Sequence, residues 1–124
     1  MLSIQTQKLP ATKTAALLAE IMHQKIQQQH LTIGHLKYLI DDGKQQFKLS
    51  YTTMEHPGNI ALDGTSNKAS VIINARVQTE PETLQKIMHE SINEAALKTN
   101  GSIMLQSVSA FQPGFPRPTY RVGN

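Results

Sequence analysis

The spacing of apolar residues changes several times along this chain, and each change predicts a structural element. After Pro10, which is favoured at the start of a helix, apolar side chains recur at helical spacing from residue 11 to residue 29. Between residues 33 and 51 the period falls to two, and Asp42-Gly43 lies between the two alternating runs. The pattern therefore predicts an amphipathic helix followed by a β-hairpin.

The hairpin turn predicts which residues of the two strands face each other. A two-residue turn pairs apolar residues with apolar residues on one face of the hairpin. On the other, polar face it places Lys37 directly opposite Lys48, with His35 opposite Ser50 one pair further along. Two ammonium groups in this position repel each other. The pair indicates either an anion-binding site or two side chains that extend apart into water.

A third strand and a second helix follow the hairpin. Residues 54 to 68 predict a loop, and the alternation from residue 69 to residue 77 predicts a strand with Asn74 and Arg76 on the polar face. Residues 79 to 82, TEPE, predict a capping box with a proline in the first turn of a helix, and Asn100-Gly101 predicts its left-handed end. Residues 102 to 111 predict a last strand.

These elements predict an α+β fold with the order helix, three strands, helix, strand. The brief alternation at residues 2 to 6 allows a further short strand before them. A mainly antiparallel sheet of about four strands, with both helices on one face, is the simplest way to bury two helical stripes and one apolar sheet face. The chain of 124 residues therefore predicts a single two-layer sandwich over residues 1 to 111.

The remaining residues, 112 to 124, predict an extended proline-rich arm. Pro113, Pro116 and Pro118 exclude a helix or a central strand, and aromatic residues alternate with Arg117 and Arg121. A stiff segment of this kind needs a surface to lie on. That surface is either the domain itself or a partner, and the sequence leaves both alternatives open.

Composition excludes several kinds of site. The chain has no Cys, which excludes disulfides, thiol catalysis and thiolate zinc sites. Its five His lack the spacing of a local metal-ligand pair and are predicted to be isolated surface residues. No nucleophile motif or phosphate-binding loop is recognisable. We therefore expect no metal, no cofactor and no catalytic activity.

Charge and hydropathy narrow the expected partners. Twelve Lys and Arg against nine Asp and Glu give a net charge of +3 without a basic run, which argues against nucleic acid as the main partner. No apolar run is long enough to span a bilayer, and the first residues lack the pattern of a signal peptide. We expect a cytoplasmic protein, whose edge strand offers a surface for a homodimer.

Three stretches of the sequence together resemble a known domain. They are IGHLK at residues 33 to 37, IINARV at 72 to 77 leading into EPETL at 80 to 84, and FQPGFPRPTYR at 111 to 121. Over residues 30 to 121 the chain resembles the small domain that follows the GTPase domain in some CobW-like proteins, which are associated with cobalamin synthesis and metal-centre assembly. The resemblance implies an accessory module that works alone or beside a separate GTPase. The family pattern has His where this chain has Tyr120, so any ligand role of that His is lost here.

The combined expectation is a non-catalytic binding module for a small anionic ligand or a protein partner, such as a separate CobW-like GTPase. The candidate residues lie on the hairpin, the third strand and the arm: His35, Lys37, Lys48, Asn74, Arg76, Arg117 and Arg121. A small nucleic-acid-binding domain is the alternative, because basic side chains also contact phosphates. An enzyme built around His35, with a carboxylate or phosphate substrate, is the third hypothesis.

Overall fold

The fold is built from two helices and seven strands within the residues that a computed structural model describes, which are 1–53, 64–106, 108–110 and 119–122. In chain order the elements are β1 (Leu2–Gln5), α1 (Ala11–Gln28), β2 (Ile33–Asp41), β3 (Gln46–Tyr51), β4 (Lys68–Val77), α2 (Pro81–Thr99), β5 (Ser102–Leu105), β6 (Val108–Ala110) and β7 (Thr119–Val122). Most of the predicted loop at residues 54 to 68 lies outside the described residues.

Strand β4 is the centre of the sheet, which has the order β3-β2-β4-β1-β5 and antiparallel pairing between its described strands. One edge of β4 pairs with β2. The other edge pairs with β1 at residues 68–71 and with β7 at residues 73–76, and β7 also pairs with β6. The predicted α+β sandwich is therefore confirmed, with more strands than the four that the sequence indicated.

Both helices cover the same face of the sheet. α1 and α2 contact each other, α1 contacts β1, β2 and β4, and α2 contacts β5 and β7. The predicted apolar stripe of α1 is buried, with Leu18 and Ile26 both 0% exposed. Alternate residues of β4, such as Val71 and Ile73, are buried against the helices. The hydrophobic core therefore lies in one layer between the helices and the sheet.

The hairpin turn is longer than the two residues predicted from the sequence. Between β2 and β3 the loop holds residues 42–45. The carboxylate of Asp42 accepts the backbone N–H groups of Lys44 at 2.9 Å and Gln45 at 2.8 Å. The backbone N–H of Asp42 in turn donates to the carbonyl oxygen of Gln45 at 3.2 Å. The Asp42 side chain thus stabilises a four-residue turn instead of the tighter one.

The longer turn moves the strand register by two residues from the predicted one. Lys37 lies opposite Ser50 on β3, and Lys48 lies opposite Leu39 on β2. The predicted direct pairing of the two lysines is therefore wrong, as is the pairing of His35 with Ser50. A shift of two residues keeps each side chain on its predicted face, because the side-chain period of a strand is two. Both lysines remain on the polar face.

Helix α2 begins without the predicted capping box. Its N-cap residue is Glu80, which makes no side-chain capping hydrogen bond, and Pro81 occupies the first turn as predicted. Thr79 lies one residue too early to cap, and its backbone N–H donates to the carbonyl oxygen of Val77. The predicted left-handed end is confirmed, since Asn100 has a φ of +51°. Proline geometry rather than side-chain capping therefore sets the start of α2.

The carboxyl-terminal part of the chain contributes two strands after β5. The single strand predicted for residues 102 to 111 is divided into β5 and β6, and between them the backbone N–H of Gln106 donates to the carbonyl oxygen of Met1 at 2.8 Å. Within the predicted arm, residues 112 to 118 lie outside the described residues. Within the same predicted arm, strand β7 pairs with β4 and with β6.

Candidate functional site: the open face of the sheet

The face of the sheet opposite the helices is covered by none of the described elements, and we call it the open face. Its residues alternate with the buried ones along each strand and are half-buried or exposed. On β2, β3 and β4 they are His35, Lys37, Leu39, Asp41, Gln46, Lys48, Ser50, Lys68, Ser70, Ile72, Asn74 and Arg76. The only acidic residue in this set is Asp41. The open face is therefore basic around the middle of β2 and its two neighbours.

A β-bulge at Gly34 sets the start of the site. The register between β2 and β4 shifts between Ile33, opposite Val77, and His35, opposite Arg76. In a regular strand, residues 33 and 35 would lie on the same face. Because Gly34 is an extra residue, Ile33 is buried in the core while His35 lies on the open face. The stem of Arg76 lies over Gly34, since a Cβ atom there would be 3.5 Å from the Arg76 Cγ and Cδ atoms. The bulge thus positions both basic side chains.

Cross-strand pairing brings the candidate residues together in rows across the sheet. Lys37 lies between Ser50 on β3 and Asn74 on β4. Asn74 in turn lies opposite Arg121 on β7, so this row continues into the last strand. The three stretches that carry the resemblance to the CobW-associated domain therefore include residues of three neighbouring strands, β2, β4 and β7.

A shallow depression of about 380 Å³ lies beside this row. Its lining includes the exposed lysines Lys37 and Lys48, which are diagonal neighbours on adjacent strands. Ser50 and Asn74 add a hydroxyl and an amide at the same place. The side chains on the rim thus offer two positive charges together with two neutral hydrogen-bond donors. This combination suits an anion of small size.

The environment of His35 shows the excess of positive charge. Its pKa lies below the ordinary value of 6.5, because partial burial disfavours the charged form and because Lys37 and Arg76 are close by. Each of these three causes acts against a further positive charge. A bound anion would counteract the two cations and raise the pKa of His35.

Asp41 and Asp42 are the acidic residues nearest in sequence to the two lysines, and both accept hydrogen bonds within the hairpin turn. Asp41 accepts the backbone N–H of Gly43 at 2.8 Å and the side-chain amide of Gln46 at 3.3 Å. Backbone hydrogen bonds from Gln45 and Lys44 lower the pKa of Asp42 below its ordinary value. In the part of the chain that the structure describes, no carboxylate pairs with Lys37 or Lys48.

A second depression of about 500 Å³ lies at the opposite end of the open face. Its lining includes the hydroxyls of Ser3 and Ser70, the carboxylate of Asp41 and, as its one cation, Lys68. Lysine and carboxylate are both present there, so this end has no excess of positive charge. Anion binding is better supported at the first depression.

The structure brings together most of the residues that the sequence singled out. His35, Lys37, Lys48, Asn74 and Arg76 share the open face, and the register places Arg121 opposite Asn74. Arg117 lies outside the described residues. His35 is not among the residues that line either depression, and its charged neighbours are cations.

Sequence reasoning missed the bulge at Gly34 and the role of Ser50 beside Lys37. The bulge has a signal in the sequence, since Ile33 and Leu36 are three residues apart and cannot both face the core in a regular strand. The role of Ser50 depended on the turn length, which the dipeptide Asp42-Gly43 predicted incorrectly.

One histidine differs from its predicted surface position. His23 is only 2% exposed, and its Nε2 atom lies 3.1 Å from the carbonyl oxygen of Thr52. Its ring also lies against Tyr51, with 4.8 Å between the ring centroids. His23 is therefore part of the contact between α1 and the sheet. Within the described ranges, no three His, Asp or Glu side chains lie close enough together to hold a metal ion.

Comparisons with known proteins give no match to this chain. No protein-family model, no curated protein and no solved structure is significantly similar to it. Of the helices that the structure describes, none has the length and apolar character that crossing a membrane requires.

Proposed function

We propose that this protein is a non-catalytic binding module that takes a small anion on its open face. The observation that carries the proposal is the depression in which Lys37 and Lys48 lie together with Ser50 and Asn74. The nearby acidic groups are engaged in the hairpin turn, so an anion from solution is the natural counter-charge. Charge-assisted hydrogen bonds from two ammonium groups are among the stronger polar interactions available to a surface site.

The resemblance to the CobW-associated domain also supports the open face as the binding surface. Its stretches fall on β2, β4 and β7, and their residues Lys37, Asn74 and Arg121 form one row across the sheet. In our proposal the module therefore serves as an accessory domain, with a separate CobW-like GTPase as a protein partner beside which the anion is handled.

Single-stranded nucleic acid is a poorer fit to the open face than a small anion. Recognition of unpaired bases generally uses aromatic side chains as stacking platforms. Tyr38 and Tyr51 are 1% and 4% exposed and belong to the core, and Phe47 is partly buried against it. On β2, β3 and β4, the open face thus offers charge without an aromatic stacking surface.

Titration with inorganic phosphate tests the proposal. We expect saturable shifts of the backbone amide resonances of Lys37, Lys48 and Asn74 at constant ionic strength. The double variant Lys37→Gln/Lys48→Gln should bind phosphate about a hundredfold more weakly, since each of the two charged hydrogen bonds contributes about 1.5 kcal/mol and about 1.4 kcal/mol corresponds to a tenfold change in affinity. The matched control is Lys86→Gln/Lys98→Gln, which removes the same charge from exposed positions of α2.

Two results would contradict the proposal. One is the absence of saturable shifts on the open face in the unaltered protein. The other is an equal loss of affinity in the α2 control, which would mean that only net charge matters. Retention of a single-stranded oligonucleotide that falls steeply with added salt, without phosphate binding in the depression, would favour the nucleic-acid alternative.

A further inference from the structure

Two apolar side chains interrupt the otherwise polar open face. Leu39 on β2 and Ile72 on β4 are directly opposite each other, and Leu39 is also opposite Lys48 on β3. Both apolar residues are half-buried and line the depression beside the lysines. This row therefore leads from the positive charge of Lys48 to two apolar side chains, Leu39 and Ile72, which we call the apolar floor.

The size and lining of the depression fit a small organic molecule better than a bare ion. Its volume of about 380 Å³ lies within the range of about 300 to 1,000 Å³ that is usual for sites of small organic ligands. Such sites combine apolar side chains with a few polar groups that fix the orientation of the ligand. An inorganic anion alone would leave Leu39 and Ile72 in contact with water.

We propose that the ligand of the open face is a phosphate monoester with an apolar body. Its phosphate group lies between Lys37 and Lys48, and its body covers Leu39 and Ile72. This inference rests on the proposed function and specifies the class of ligand.

The donors at the charged end favour phosphate over a carboxylate head group. A phosphate monoester carries close to two negative charges at neutral pH and has three strong acceptor oxygens. Two lysines match the charge, and the hydroxyl of Ser50 and the amide of Asn74 match the remaining acceptors. A carboxylate has one charge and two oxygens, which leaves part of this donor set unused.

The test compares phenyl phosphate with inorganic phosphate at about pH 7.5, where phosphate monoesters are close to doubly charged. We expect phenyl phosphate to bind the unaltered protein about tenfold more tightly, the gain that corresponds to roughly 50 to 60 Å² of apolar surface removed from water. The series methyl, ethyl and phenyl phosphate should show rising affinity, which tests the inference without any variant.

Variants of the two apolar residues test whether they are the source of the higher affinity for phenyl phosphate. Leu39→Thr and Ile72→Thr retain strand-forming side chains, and each should reduce the ratio of the affinity for phenyl phosphate to the affinity for inorganic phosphate. Met104→Thr is the matched control, because Met104 is an apolar residue of β5 that is 62% exposed and lines the other depression. It should retain the full advantage.

The outcomes separate this inference from the proposed function. If inorganic phosphate binds at the lysines but phenyl phosphate binds no more tightly, the inference is overturned and the proposed function stands. If neither compound binds, both fail. An equal gain for benzoate over acetate, or a gain that persists in both threonine variants, would also overturn the assignment of a phosphate monoester on this floor.

Discussion

His35 is the single residue that reports most directly on the charge of the open face. Its pKa is lowered by partial burial first and then by Lys37 and Arg76. Because the folded state holds the pKa below its ordinary value, the contribution of His35 to stability is fully present above that value. It is lost as the pH falls through the lower, folded pKa. An anion bound beside these cations should raise the pKa.

The variant Lys37→Gln should raise the pKa of His35 toward 6.5, because it removes the larger of the two cationic causes. The imidazole C–H resonances, followed by NMR as the pH is changed, measure the effect. Lys48→Gln is the control, since Lys48 does not contribute to the lowered pKa, and it should leave the titration unchanged. An equal rise in both variants would show that the pKa follows net charge rather than the local pair.

Gly64 shows how tightly the hairpin turn is held against the start of α1. A Cβ atom at this position would lie 2.6 Å from Cγ2 of Thr12 and 2.7 Å from Oδ2 of Asp42. Thr12 is 0% exposed and Asp42 is 6% exposed, so neither side chain has free space into which to move. Glycine is required here for close approach rather than for an unusual backbone conformation.

Gly64→Ala should therefore destabilise the protein by about 1 to 3 kcal/mol, the usual cost of overpacking a well-packed site. Urea unfolding of the variant and the unaltered protein measures the difference. Thr65→Ala, at the exposed neighbouring residue, should change the stability by less than about 0.5 kcal/mol. A stability of Gly64→Ala equal to that of the control would mean that the two elements separate at no cost.

Among the elements, helix α2 begins without a side-chain capping hydrogen bond at its N-terminus. Glu80 occupies the N-cap position with φ −69° and ψ +145°, the extended conformation that capping residues adopt, but its side chain makes no capping bond. Aspartate is one methylene shorter than glutamate and is among the residues whose side chains most often accept a hydrogen bond from the first-turn N–H groups.

Glu80→Asp should stabilise the protein by about 0.5 to 1 kcal/mol, since aspartate is a strong N-cap residue and the charge at the positive end of the helix dipole is kept. The midpoint of thermal or urea unfolding gives the difference. Glu90→Asp, at an exposed position within α2, is the matched control and should be neutral or slightly destabilising. A loss of stability in Glu80→Asp would contradict the prediction.

The elements differ in how far the sequence could predict them. The strand β4 and the stripe of α1 follow from period alone, because apolar residues such as Val71 and Leu18 must all reach one core. The turn length could not be read in the same way. It depends on hydrogen bonds that the Asp42 carboxylate accepts from two later backbone N–H groups, and the dipeptide Asp42-Gly43 does not reveal them.

For the candidate site, the sequence predicted which side chains share the open face but not which of them are neighbours on it. Alternation assigned Lys37 and Lys48 to the same side, and this holds for any register that shifts by two. Which residues are neighbours depends on the turn length and on the bulge at Gly34. The apolar residues Leu39 and Ile72 lie on different strands, and only the pairing of β2 with β4 places them opposite each other.

At the scale of the whole molecule, the two-layer architecture leaves an excess of positive charge on the open face of the described strands. The helices bury one face of the sheet, so its polar residues collect on the open face. There the basic residues His35, Lys37 and Arg76 lie toward one end, and Asp41 lies about 13 Å from Lys37 along β2. An approaching anion therefore meets a directional field although the net charge is only +3.

The shared edge of β4 also constrains how the sheet can assemble while the protein is being synthesised. The hairpin of β2 and β3 can form from neighbouring residues as it leaves the ribosome, but β1 must wait for β4, with Leu2 opposite Val71. The edge at Ile73 stays unoccupied until Val122 has been made. A transient strand edge of this kind is open to pairing with other chains, so translation speed and chaperone binding should influence the yield of this protein.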